Sequence, residues 1–362
     1  MDFEGLRIAL VGPLPPPAGG MANQTRQLAE LLRGERASVL LVQTNAPYRP
    51  PAVAKLPVLR AGFRLVPYLW ALWRAAGRAD VFHVMANSGW SWHLFAAPAI
   101  WVARARRVPV VVNYRGGEAG SFLARSAALV RWSMRRVAQL AVPSAFLARV
   151  FSGHGMAAQV VPNIIDLARF RPANVPRAAG QHIVVARNLE PIYDNETALR
   201  AFRLVLDRHP QARLTIAGSG PEQARLVALA QTLGLSAAVR FTGRLDRDAM
   251  AALYREADVS LNPSLADNMP NSVLEALASG TPVVSTDVGG VPFIVRDGVT
   301  ALLVPPGDPQ AMAAATMRLL EDESLHAALV AAGLNEVRRY TWPAVKPGLA
   351  AIYRTAIAQV PR

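Results

Sequence analysis

Residues 267–275 read Asp-Asn-Met-Pro-Asn-Ser-Val-Leu-Glu, a grouping of types that can hold hydroxylated and phosphorylated ligands. Pro270 lacks an N–H and suits the first turn of a helix. The exposed N–H groups around it, among Asn268, Met269 and Asn271, can hold a sugar hydroxyl or a phosphate oxygen. A carboxylate accepts two hydroxyls at once, so Asp267 in the loop and Glu275 on the helix could grip both ends of a nucleotide sugar. As an ordinary cap, Asp267 or Asn268 would merely satisfy the first-turn amides. That alternative does not explain why Glu275 interrupts the apolar run 273–278.

Three further loops could carry chemistry. Gly12-Pro-Leu-Pro-Pro-Pro-Ala-Gly19-Gly20 precedes a helical pattern over 21–32. Paired glycines at a helix start let backbone amides approach a phosphate, although a tight Pro/Gly turn with no ligand fits equally well. The glycine spacing is not that of a dinucleotide fingerprint. Ile216-Ala-Gly218-Ser-Gly220-Pro221 is a second strand–glycine–helix turn. Asn113-Tyr-Arg115-Gly-Gly-Glu118 sets a guanidinium beside flexible backbone, for an anion or sugar hydroxyl or, alternatively, for a surface pair with Glu118.

These loops must be held by strands. Short β-branched runs fall at 7–11, 38–43, 81–84, 108–113 and 139–142 in the first half. In the second half they fall at 181–186, 213–218, 239–242, 259–262, 282–285 and 301–304. Helical patterns alternate with them, among them 196–207, 222–233 and 248–257, and a last helix is expected over 342–357. The pattern predicts an α/β chain of two doubly wound, parallel-sheet (Rossmann-like) domains. In such sheets ligands bind beyond the carboxyl ends of the strands, where all of these loops lie. The junction is expected in the proline-containing stretch 163–180, giving domains 1–170 and 171–340 and a tail 341–362 that returns to the first domain.

With 362 residues, 52% hydrophobic and 18% charged, the chain can bury two cores. It has no cysteine, which excludes disulfides and thiolate chemistry. The amino terminus has acids ahead of a short apolar run and reads as a first strand, not a signal peptide. No stretch is long and apolar enough to predict a spanning helix. The net charge of +14 is uneven. Residues 1–170 hold 20 Lys and Arg against 7 Asp and Glu, whereas residues 171–362 hold 19 against 18. An anionic partner for the first half follows, and no zinc-finger, RNA-recognition or basic-zipper pattern points to nucleic acid. Residues 54–78 interleave Arg60, Arg64, Arg74 and Arg78 with Phe63, Tyr68, Trp70 and Trp73. That suits an anionic membrane surface, the alternative being that the tryptophans belong to the core. The expected location is cytoplasmic, peripheral on the inner face of the membrane.

The segment from Asp267 through Glu275, followed by Ala-Leu-Ala-Ser-Gly-Thr-Pro-Val-Val, resembles the Glu-x7-Glu region of family-4 retaining glycosyltransferases of GT-B architecture (glycosyl transferases group 1). Gly19-Gly20, Val161-Pro-Asn-Ile-Ile-Asp166 with Phe170-Arg-Pro172, Ile216–Pro221, Phe241-Thr242-Gly243 and Pro263-Ser264 match that family in order, over nearly the whole chain. The resemblance implies two domains facing across a cleft, the first for the acceptor and the second for a nucleotide diphosphate sugar, UDP- or GDP-linked. It implies that Glu275 binds the ribose and that Asp267 with the amides of 268–271 holds the sugar. Arg187 would neutralise the diphosphate, Gly20 would donate to the phosphate, and 240–243 would lie by the base. The leaving phosphate oxygen would take the acceptor's proton on the same face. The acceptor is then expected to be a glycan or lipid-linked intermediate, in polysaccharide biosynthesis or a related process. No cofactor is expected and, without an Asp-x-Asp signature, no metal.

Three departures stand out. The first acid is Asp in place of Glu. Ile192-Tyr193 stands where the second cation of an Arg-x4-Lys pair is expected. Arg115-Gly116 replaces His-Gly, and Arg115 would make up some of the lost charge. A nucleotide-sugar 2-epimerase of the same architecture, and a non-catalytic nucleotide-sugar-binding scaffold, are the alternative readings.

Overall fold

The computed structural model describes residues 3–16, 19–48, 59–173 and 181–359. The chain divides into two compact units, Met1–Asn163 with Val345–Arg362, and Ile164–Ala344.

The first unit runs β1 (Arg7–Gly12), α1 (Gly20–Gly34), β2 (Ser38–Gln43), α2 (Leu59–Ala76), β3 (Val81–Ala86), α3 (Ala97–Ala105), β4 (Val110–Tyr114), α4 (Ala119–Met134), β5 (Gln139–Val142), α5 (Ala145–Gly153) and β6 (Gln159–Val160). Its six strands are parallel in the order β2-β1-β3-β4-β5-β6. The order reverses between β1 and β3. Strands β1, β3 and β4 are apolar almost throughout because helices cover both faces. On α2, Tyr68, Leu72, Ala75 and Ala76 recur at helical spacing and enter the core. Ser144 caps α5 by accepting from the Leu147 amide.

The second unit runs β7 (His182–Ala186), α6 (Asn195–Arg208), β8 (Arg213–Ala217), α7 (Gln223–Thr232), β9 (Val239–Gly243), α8 (Arg247–Glu256), β10 (Val259–Asn262), α9 (Asn271–Ala278), β11 (Val283–Thr286), β12 (Leu302–Val304), α10 (Pro309–Glu321) and α11 (Glu323–Glu336). Its sheet is also parallel, in the order β12-β11-β10-β7-β8-β9, and reverses between β7 and β10. Asp194, Asp246, Asp308 and Asp322 cap α6, α8, α10 and α11. Part of this unit's acid content is thus used at helix starts, where negative charge meets the helix dipole.

The units divide at 163/164 and 344/345, not at the expected 170/171 and 340/341. Residues 164–170 pack with the second unit: the Ile165 amide donates to the Tyr340 carbonyl, and Phe170 is buried beside Tyr254. The last helix, α12 (Trp342–Ala358), joins the first unit from Val345 onward. There the Tyr353 ring is buried against Phe3 and His83. Strand β4 begins at Val110 and not at 108: the turn after α3 falls at Arg106 and Arg107, the Val108 amide still bonds the Ala103 carbonyl, and Pro109 has no N–H to donate to the ladder. β6, two residues long, has no periodicity to read. No described helix is long and apolar enough to cross a membrane.

Candidate active site

Every loop of the second unit singled out above leaves the carboxyl end of a strand. Arg187 follows β7, Gly218 follows β8, Thr242 and Gly243 close β9, and 263–270 leads from β10 into α9. Arg187 and Asp267 therefore stand on the two strands flanking the reversal of strand order, where an open parallel sheet leaves a crevice.

Their side chains meet there. Arg187 Nη2 donates to Asp267 Oδ2, Arg187 Nη1 donates to Ser272 Oγ at 3.1 Å, and the guanidinium lies 4.0 Å from the centroid of the Tyr193 ring. With the arginine side chain 9% and the aspartate 12% exposed, the pair is largely desolvated, and either charge left alone would be costly. Asp267 Oδ1 also accepts from the Asn268 amide at 2.9 Å, which fixes the carboxylate in its loop. The cap alternative for Asp267 is not what forms. Pro270 is the N-cap, in extended conformation, and α9 begins at Asn271 with no side-chain cap. The expectation that Pro270 occupies the first helical turn shifts by one residue.

Glycines let the loops approach one another. A Cβ on Gly218 would lie 1.9 Å from the Arg187 carbonyl oxygen, and one on Gly220 would lie 2.2 Å from that of Leu189. Gly289 and Gly290 do the same under the Asp267 loop: a Cβ on Gly290 would lie 1.7 Å from the Asn268 carbonyl oxygen, and the Gly290 amide donates to the Asp267 backbone carbonyl at 2.8 Å. The doubled glycine after β11 was the signal for this support, and the sequence reading passed it over. Ser272 was missed too, as were the stacking role of Tyr193 and the proximity of Arg247 to Glu275.

Glu275 sits one turn into α9, partly buried between core residues Leu274 and Ala276. Burial pushes its carboxyl up to about 7, against the opposing pull of Arg247 and Arg187. Around neutral pH it is divided between neutral and ionised forms. Met269 is buried in the core cluster with Val273 and Leu277, so this residue offers the site its backbone and not its side chain. Asn268 is buried as well.

In the first unit Gly19 is the extended N-cap of α1, with Gly20 opening the helix after the β1 loop. Among the described residues nothing lies within 4 Å of a Cβ built on Gly19, so their packing does not demand a glycine there. Arg115 does not pair with Glu118. Its Nε donates to Asn113 Oδ1 at 3.1 Å, and its Nη1 donates to Asn163 Oδ1. Burial lowers Arg115 to about 10, still charged at neutral pH. Asn113 Nδ2 donates in turn to His83 Nε2 at 3.2 Å, and His83 Nδ1 donates to the Tyr353 hydroxyl at 2.7 Å. The hydrogen bonds fix a single imidazole tautomer. Burial and the Arg115 charge hold that imidazole neutral, its value pushed down to about 3. Among the described residues no group of three or more His, Cys, Asp or Glu side chains is placed to hold a metal ion.

Two Rossmann-like domains, with phosphate- and hydroxyl-binding types gathered at strand carboxyl ends, define a GT-B-type transferase. Comparison with known proteins carries this further. The family described as glycosyl transferases group 1 matches residues 169–336, and the glycosyl transferase 4-like domain matches residues 19–163. The chain belongs to the family-4, group 1 glycosyltransferases and is itself a glycosyltransferase.

A phosphatidyl-myo-inositol mannosyltransferase of Mycobacterium leprae is 28% identical over 97% of both chains. A D-inositol 3-phosphate glycosyltransferase of Acidothermus cellulolyticus is 35% identical over 56% of this chain and 48% of its own, so the match spans about half of that relative. Among solved structures, a sucrose-phosphate synthase from Thermosynechococcus elongatus superposes with a TM-score of 0.79 at 21% identity, over 98% of this chain and 99% of that one. HepE from Anabaena, solved with UDP-glucose, gives 0.74 at 16% identity over 97% and 100%.

Proposed function

We propose that this glycosyltransferase moves a sugar from a nucleoside diphosphate sugar, UDP- or GDP-linked, to a lipid-linked acceptor at the membrane surface, with retention and without a metal ion. The observation that carries the donor assignment is the Arg187–Asp267–Ser272 cluster at the strand-order reversal beside the start of α9. A diphosphate there would take Arg187 as its counter-charge, freeing Asp267 to accept sugar hydroxyls. The amides at 268–271 would serve the sugar and Glu275, once ionised, the ribose. By the family resemblance, Gly19 and Gly20 would offer backbone amides to the phosphate and Arg115 a held charge, and Gly218, Thr242 and Gly243 would lie towards the base. In the reaction the acceptor hydroxyl oxygen bonds the anomeric carbon as the carbon–phosphate oxygen bond breaks. The nucleoside diphosphate leaves with the electron pair and takes the hydroxyl proton.

Relatives that act on phosphatidyl-myo-inositol and on inositol phosphate favour an acceptor bearing an inositol-like polyol. The strongly basic first half supports a phosphate-bearing one. Exposed Phe63, Trp70 and Trp73 on α2 favour the membrane surface as its location over the core alternative for the tryptophans; residues 54–58 of the stretch 54–78 lie outside the described residues.

The test is to combine the protein with UDP-, GDP- and ADP-sugars and with phosphatidylinositol vesicles or soluble inositol phosphate. Sugar appearing on one acceptor from one donor is expected, together with a rise in melting temperature on adding the matching nucleoside diphosphate. No melting shift with any nucleoside diphosphate, and no transfer, would overturn the donor assignment.

A further inference from the structure

The amino edge of the first sheet carries a cavity that the site above does not use. It has a volume of about 530 Å3 and lies where α3 and α4 end and β4 and β5 begin, among Arg104, Arg107, Trp132, Arg135 and Arg136. Within this unit the loops of Gly19–Gly20 and Arg115 lie at the opposite, carboxyl ends of the strands. Among the described residues no carboxylate pairs with any of these arginines. Residues 59–136 hold 12 Arg and no Lys against two acids, and one of those, Asp80, is held by Arg7.

Helix C-termini attract cations, which accounts for part of this. Arg136 does bond the Trp132 carbonyl at the end of α4. The dipole accounts neither for the aromatic partners nor for the exposed apolar groups. The Arg136 guanidinium lies 4.0 Å from the Trp101 ring and 4.8 Å from that of Trp132, and the two rings are 4.2 Å apart. One turn away, Arg106 covers Trp73 of α2 at 4.8 Å, and Arg74 covers Trp70 at 4.5 Å. The three helices are neighbours: each of β2→β3, β3→β4 and β4→β5 moves in the same direction along the sheet, so right-handed crossovers put α2, α3 and α4 on one face. On that face Val66, Trp70, Trp73, Leu129 and Trp132 leave about half or more of their surface exposed.

We propose that this face docks on an anionic phospholipid bilayer, with headgroup phosphates seated in the arginine cavity at the amino edge of β4 and β5. Guanidinium groups bind phosphate in bidentate fashion and are weakly hydrated, which suits a phosphate layer above acyl chains. Tryptophan is the side chain of the membrane interface, and exposed Val66 and Leu129 have no place in a nucleic-acid groove. The docking surface thus extends beyond residues 54–78 to a second anchor, and the inference rests on the membrane reading given above.

The test is flotation with vesicles of phosphatidylcholine alone and of phosphatidylcholine with phosphatidylglycerol, at low salt. The variants are Arg104→Gln/Arg107→Gln/Arg135→Gln, which keeps the stacked Arg136, and Trp132→Phe with brominated lipid as quencher. Wild type is expected to float only with the anionic vesicles. The triple variant, with an unchanged melting temperature and unchanged hydrolysis of soluble donor, is expected to bind them roughly tenfold or more weakly. Trp132→Phe is expected to lose part of the bromolipid quenching. Where the triple variant melts early, Arg107→Gln alone is read, with a several-fold loss expected. A wild type that does not float sinks the membrane reading as a whole. A wild type that floats alongside an equally bound triple variant sinks the cavity alone. Binding to duplex DNA as tight as to vesicles, with no quenching of Trp132, overturns the choice of partner.

Discussion

Arg187 and Asp267, 80 residues apart in sequence, bond to one another across the point where the strand order of the second sheet reverses. In the proposed site these are the cation for the diphosphate and the acid for the sugar, so that without donor each side chain satisfies the other. A diphosphate bound there would have little solvent to displace from Arg187 and would take the place of Asp267 as its counter-charge.

Arg187→Ala should lower kcat/KM by roughly 100- to 1,000-fold, the usual cost of losing one preorganised charge stabiliser. Arg187→Lys should recover only part, because one ammonium nitrogen lacks the planar fork whose two nitrogens reach Ser272 and Asp267 separately. Steady-state kinetics on both variants checks this, and equal activity of the lysine and wild-type enzymes would refute it.

Tyr193 stands where a second cation is expected and contributes a ring face instead. Tyr193→Phe should leave donor affinity unchanged, whereas Tyr193→Ala should weaken it several-fold, in line with about 1 kcal/mol for a partly buried cation–π contact. Titration calorimetry with the nucleoside diphosphate measures both. A loss in Tyr193→Phe would mean that the hydroxyl, not the ring, matters.

If Glu275 holds the ribose as proposed, donor affinity should depend on pH. Its carboxyl is raised from 4.5 to about 7, so the stability of the neutral form is fully present below pH 4.5 and is lost as pH rises through 7. Glu275→Gln should therefore gain stability over wild type between pH 5 and pH 8, by roughly 2 kcal/mol given the partial exposure of the group. Donor affinity of the wild type should rise over the same window as the carboxylate forms, and that rise should vanish in Glu275→Gln. Urea denaturation and donor titration across the range provide the two readouts.

Gly290→Ala should unfold the acidic loop or the unit with it. The new methyl would fall 1.7 Å from a backbone oxygen that has no rotamer in which to retreat. A loss of about 2 kcal/mol or more is expected, with donor binding falling further than Gly19→Ala makes it fall.

Tyr353→Phe leaves the buried His83 Nδ1–H without its acceptor and should cost about 1–2 kcal/mol in thermal unfolding. His83 adds a separate acid signature. Being lowered, it contributes stability that is present above pH 6.5 and declines as pH falls towards 3. His83→Gln should flatten that decline.

The strands were legible because burial on both faces leaves a plain apolar run. Segments 139–142 and 259–262 begin and end where their residues change character, whereas the edge strand 38–43, half-exposed, was legible from its aliphatic and β-branched types alone. The family was legible because its motifs are short, local and ordered along the chain. The placement of Asp267 and of the glycines 218 and 220 in loops after strands, and of Glu275 on the helix that follows, was legible too, since a strand–loop–helix passage is built from neighbours in sequence.

What the sequence could not give was which of these groups face each other. That Arg187 pairs with Asp267, that Gly290 underlies Asn268, and that Arg115 is occupied by Asn113 and Asn163 depend on strand order and on loops brought together from distant positions. The raised carboxyl of Glu275 and the core position of Met269 likewise depend on what the fold packs around them. Residue type set the chemistry available at each position; the closeness of non-local neighbours in a desolvated crevice decided which of it can be used.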